Sequence, residues 1–170
     1  MPPFLLGENM TIIVETGSRV DGANSYVTVA EFNAYLALRY PSRSAPTEAV
    51  AEGYLLRAMD YLESLDFIGG KATDAQPLQW PRDRVRIDGY AITSSEIPKE
   101  LKVAQYEAAY GYELGYGKAD PIERTVQSEK IGEIAITYAN NSSSRVETPA
   151  VNMALKKLLK STAGTGIIRA

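Results

Sequence analysis

LQWPRDRVRIDGYAITSSEIPKELKVAQY, residues 78–106, is the stretch whose reading decides the fold. Asp88-Gly89 sits between two short β-prone arms. Asp and Gly tolerate the positive φ that a two-residue hairpin turn requires, so the spacing predicts a β-hairpin. Before it stands the only tryptophan, Trp80, held between Gln79 and Pro81. Arg82, Arg84 and Arg86 then alternate, and in a continuous strand they would share one face. After the hairpin, Ile97-Pro98 opens a helix, because proline suits a first turn where its missing N–H is not needed.

On the N-terminal side, Ile12-Ile13-Val14 reads as a short strand and Gly17 to Asn24 as a turn-rich loop. Thr28 with Glu31 three residues later forms a capping box, and the helix it starts buries Phe32, Tyr35 and Leu36 before Pro41 ends it. A second helix, capped by Thr47, presents Ala51, Tyr54, Leu55, Ala58, Met59, Leu62 and Leu65 at steps of three and four. On the C-terminal side, the helix from Pro98 to about Tyr116 carries Ala104, Ala108, Gly111 and Gly115, small residues that let another backbone approach. Val126 to Ala139 reads as a second hairpin, with Ile134, Ile136 and Tyr138 on its apolar face. A last helix sets Val151, Leu155, Leu158 and Leu159 against Lys156, Lys157 and Lys160. The expected class is mainly α (α+β): about four helices with two β-hairpins.

Composition narrows the function. At 170 residues one compact domain is expected. The chain has no cysteine and no histidine, which removes disulfides, thiol nucleophiles, Cys/His zinc sites and the commonest general base. Eighteen basic residues against twenty-one acidic ones give a net charge of −3, the wrong sign for a dedicated nucleic-acid binder. No basic flank or long apolar run marks a signal peptide, and no segment approaches the roughly 20 apolar residues of a membrane span. These observations imply no enzyme, no cofactor, no metal and no membrane partner.

Each candidate site also has a plainer reading. Gly69-Gly70-Lys71 is a turn, since a phosphate loop needs glycine where Leu65 stands and Ser or Thr where Ala72 stands. Asp60 and Glu63, one helical turn apart, read as a solvated face. Arg82, Arg84 and Arg86 would line a phosphate-facing surface or pair with acids on a neighbouring subunit. Trp80 would anchor a loop on the core, or stack on a base. Tyr106, Tyr110, Tyr112 and Tyr116 crowd one helix. Tyr110 and Tyr112 point to opposite sides, so some tyrosines are half-buried, as at protein interfaces or ordinary core boundaries.

The order of blocks resembles the head–tail connector (adaptor) family of tailed bacteriophages. An "ANSY" block at 23–26 leads to "LQWPR…DG…IP..LK.A", then to the Lys130–Ala139 strand KIGEIAITYA. The resemblance runs from Met10 to the C-terminus. It departs at residues 1–9, an extension before the pattern, and at Phe32, where the family has a small residue. It implies a connector domain at 10–163, a docking tail at 164–170 and a structural virion protein made in the host cytoplasm. Many copies, about twelve, would close a ring beneath the portal, extend the DNA channel and carry a downstream tail or stopper protein. DNA would pass through without specific binding. Portal docking falls to Leu155, Leu158, Leu159, Ile167, Ile168 and Arg169. Channel or interface roles fall to Arg82, Arg84, Arg86, Tyr110 and Tyr112. The same pattern also carries the label of a DnaT-like single-stranded-DNA-binding protein. That alternative is a replication accessory using Arg82, Arg84, Arg86 and Trp80 as a basic and aromatic platform.

Overall fold

The computed structural model describes residues 11–115, 128–131, 134–137 and 149–160. In chain order the helices are α1 (Val29–Arg39), α2 (Glu48–Glu63), α3 (Lys99–Glu113) and α4 (Pro149–Leu155). Three antiparallel two-stranded ladders accompany them. They are β1 (Gly70–Lys71) with β2 (Arg82–Asp83), β3 (Val85–Ile87) with β4 (Tyr90–Ile92), and β5 (Ser128–Ile131) with β6 (Ile134–Thr137). The architecture is α+β and mainly helical. Both expected hairpins are present; β1–β2 is an addition.

Helix α1 starts where its capping box places it. Thr28 Oγ1 accepts from the Glu31 N–H at 3.1 Å, and Glu31 Oε2 accepts from the Thr28 N–H at 2.8 Å. The helix buries Phe32 and Leu36 and ends at Arg39, two residues before Pro41. Tyr35 is only half-buried. Thr28→Ala removes an acceptor for one orphan N–H and should cost about 1 kcal/mol. Urea unfolding will read this as a lower midpoint at an unchanged slope. No measurable shift would mean that the packing of Phe32 and Leu36 alone fixes the start of α1.

Helix α3 is the central rod, packed along both α2 and α4. Ala104, Ala108 and Gly111 are buried, as expected of small residues at a close approach. Buried residues surround the helix, among them the polar Gln105 and Glu107, which is how a core helix differs from a surface one. Gln105 Oε1 accepts from the Tyr26 N–H at 3.0 Å, and its Nε2 donates to Ser25 Oγ at 2.8 Å. That side chain therefore pins the segment before α1 onto α3. Aromatic stacking adds to this: Tyr35 lies 4.7 Å from Tyr106, and Tyr40 lies 4.1 Å from Tyr110, between ring centres. The Tyr35 and Tyr40 hydroxyls both donate to the buried Glu107 carboxylate.

The strand expected at Ile12–Val14 shrinks to a single bridge, Val14 with Ser25. The Ile13 carbonyl and the Glu15 N–H keep backbone partners at Asn24 and Ser25, and a side chain takes up one further donor. The Ile13 N–H donates to Asn24 Oδ1 at 2.8 Å. The buried Glu15 carboxylate collects the N–H groups of Gly17, Arg19 and Val20 at 2.7–2.9 Å. This carboxylate-centred loop brings Gly17 against the chain ahead of α3. A Cβ there would lie 2.0 Å from the Ser95 carbonyl oxygen, so only glycine fits.

The last helix is shorter than its periodicity implies. It stops at Leu155, and the chain turns to lie antiparallel beside the segment after α2. The Ile68 N–H donates to the Leu158 carbonyl at 2.9 Å, and the Lys160 N–H donates to the Asp66 carbonyl at 2.9 Å. Leu155 and Leu158 are fully buried in the chain's own core, and Leu159 is half-buried against it. The stripe expected to dock on a portal is thus already used in folding.

Candidate nucleic-acid interface

The three arginines do not form one face. Arg82 is on β2, but Arg84 adopts φ +56° between β2 and β3, which breaks the extended run that alternation presupposes. Arg82 is buried. Its Nε donates to the Ile68 carbonyl at 2.8 Å, Nη2 to the carbonyls of Phe67 and Gly69 at 3.2 and 3.1 Å, and Nη1 to Gln79 Oε1 at 2.7 Å. It is a clamp on the chain between α2 and β1, unavailable to line a channel or meet a phosphate. Burial pulls its pKa down, opposed by the nearby Tyr26, Glu63 and Asp66.

Trp80 is equally occupied. It has no exposed surface and meets Phe67 edge-to-face at 5.9 Å, beyond a cis Trp80–Pro81 bond. The core-anchor reading holds, and base stacking by Trp80 is excluded in this fold. Glu63, expected on a solvated face, instead accepts from the Tyr26 hydroxyl at 2.7 Å and the Gln79 N–H at 2.8 Å. Desolvation raises its pKa, with those hydrogen bonds opposing the shift. Asp60 stays exposed.

Tyr110 and Tyr112 are half-buried on opposite sides of α3. Tyr110 packs on Tyr40 beneath the Arg43 guanidinium, 5.2 Å away, whereas Tyr112 faces Asp60 and Tyr61 of α2. Both are therefore engaged within the chain. The expected positions Ile167, Ile168, Arg169 and Tyr116 lie outside the described residues, as does the burial of the Ile134, Ile136 and Tyr138 face.

What the fold does assemble is a basic surface from sequence-distant pieces. The β3–β4 hairpin turns at Asp88 and Gly89, with φ +53° and +86°, as a type I′ turn demands. Arg86 and Ala91 pair on its outer face. At the tip, Asp88 Oδ2 accepts from Lys157 Nζ at 2.6 Å. The stitching of Leu158 and Lys160 to residues 66–68 completes the junction. On segments 66–71, 82–88 and 156–160 the exposed cations are Lys71, Arg84, Arg86, Lys156, Lys157 and Lys160. They outnumber the exposed acids Asp66, Asp83 and Asp88. Nothing in the spacing of the sequence joins the last lysines to the hairpin arginines.

Among the described residues, no group of acidic side chains could hold a metal ion, and no helix is long and apolar enough to cross a membrane. No match was found among curated proteins or among solved structures. A family model described as "Putative DnaT-like ssDNA binding protein" matches residues 10–170, almost the whole length, and the chain therefore belongs to that family.

Proposed function

We propose that the chain binds single-stranded DNA, without catalysis, through the surface where the β3–β4 hairpin meets the segment after α4. The observation that carries this reading is the Lys157–Asp88 contact, which brings the lysine-bearing segment after α4 to the arginine-bearing hairpin in a chain whose net charge is −3. A local basic field can hold a phosphate backbone even where the whole molecule is acidic. The family description supports the same reading. Arg84, Arg86, Lys156 and Lys160 would contact phosphates, replacing the buried Arg82 and Trp80 in that role.

Fluorescence anisotropy with a labelled oligonucleotide tests it. Binding should weaken with salt at a logarithmic slope of about −3, the value for four or five phosphate contacts on a single strand. Arg84→Glu combined with Lys156→Glu should lower the slope by about 1–2 and the affinity at least tenfold. No binding at about 50 mM salt would sink the reading.

The order of the sequence blocks favours a second reading. In it the chain is a head-to-tail adaptor of a phage virion, about twelve copies forming a ring between portal and stopper by heterologous contacts. Native mass measurement of the protein, alone and mixed with a portal, separates the two. A ring that ignores oligonucleotides favours the adaptor; a monomer that binds them favours the first reading.

A further inference from the structure

An open groove of about 470 Å³ lies between the β3–β4 hairpin and the start of α3. Its apolar floor is Ile87, Ile92, Ile97 and Pro98, and its rim carries Glu96, Lys99, Glu100 and Lys102. The hairpin register explains the floor. Val85 pairs with Ile92 and Ile87 with Tyr90, so these four share the face opposite Arg86 and Ala91. Val85 is buried at the inner end, whereas Tyr90 at the outer end is 79 % exposed. Half of an apolar ribbon face therefore extends beyond the core that covers the rest.

We propose that the chain's own C-terminal segment, Ile167-Ile168-Arg169-Ala170, docks in this groove. The described chain ends at Lys160, three residues after the lysine that pairs with Asp88, the neighbour of Ile87. Ser161 to Gly166 can span about 20 Å when extended. Gly164 and Gly166 let the link take whatever path the surface imposes. The chemistry matches in sequence order. The two isoleucines suit the isoleucine floor, and Arg169 suits the rim carboxylates Glu96 and Glu100. Intramolecular linkage gives the segment an effective concentration of about millimolar, which favours it over a second copy's tail. This inference is independent of single-strand binding.

The absence of cysteine makes the test specific. In the full chain, Lys99→Cys with Ala170→Cys places one thiol on the rim and one at the tail's end, leaving the isoleucines intact. A short bis-maleimide should give a monomer closed by an internal link. Adding Ile167→Asp and Ile168→Asp should slow that closure by about tenfold or more, because the apolar contact that holds the tail is lost. Covalent dimers from dilute protein would assign the groove to a second copy and overturn the proposal. Closure at an unchanged rate in the aspartate variant would also overturn it, since a tail that merely passes nearby does not depend on its isoleucines.

Discussion

Arg82→Ala is expected to destabilise the chain by about 3 kcal/mol or more, a large share of the roughly 5–15 kcal/mol that holds a domain of this size together. The guanidinium donates to the backbone carbonyls of Phe67, Ile68, Gly69 and Gln79 and to the Gln79 side chain. Alanine leaves those acceptors without their donor and opens a void beneath Phe67, whose ring lies 6.0 Å from the guanidinium carbon. Lysine should recover little, because one ammonium cannot reproduce a planar fork with donors on several sides. Denaturant unfolding followed by circular dichroism will measure the loss. Arg84→Ala, on an exposed side chain, should change stability by only about 0.5 kcal/mol. Equal stability of the Arg82 and Arg84 variants would mean that water replaces the clamp.

The contrast between these neighbouring arginines shows where sequence reading stops. Alternation assigns faces only while the backbone stays extended, and a single positive φ at Arg84 turns the ribbon so that Arg82 faces inward and Arg86 outward. The features that were legible depend on neighbours in sequence: the Asp88-Gly89 turn, the Thr28–Glu31 box, and the apolar period of α2. The illegible ones depend on partners far away. Gln105 and Glu15 are single polar residues with no spacing signal, yet each organises a buried junction. Leu155 and Leu158 have the period of an apolar stripe, but period alone does not say whether the chain itself or a partner covers the stripe.

The candidate interface follows the same rule. Lys156, Lys157 and Lys160 read in sequence as the wet side of a helix, and the hairpin arginines read as one strand face. Only the crossing of the final segment over residues 66–68 makes them a common surface. A composition with more acids than bases gives no sign of such a local cluster, because net charge averages over the whole molecule.

Alkaline titration should expose the buried hydroxyls of the aromatic core. Tyr26 has no exposed surface, and its hydroxyl donates to Glu63 at 2.7 Å while accepting the Trp80 N–H at 3.2 Å. Burial and then the Glu63 charge push its pKa far above the usual phenol range. Burial likewise pushes Tyr106 up to about 12, with the Glu31 charge adding to it. In the unfolded chain both ionise near 10. Above that pH the folded state holds protons that the unfolded state has released, so stability must fall as pH rises. Each group removes about 1–1.5 kcal/mol per pH unit, from about 10 to its folded pKa. The stability they protect is fully present below pH 10. For Tyr106 it is lost by about 12, and for Tyr26 the loss continues beyond. Urea unfolding between about pH 8 and 12 should therefore give a plateau followed by a steep decline. Tyr106→Phe keeps the stack on Tyr35 and removes one ionisation, so its decline should be shallower by one group's share. A profile that stays level to about pH 12 would mean that these phenols ionise as readily in the folded chain as in the unfolded one, and that the core around α3 is open to water.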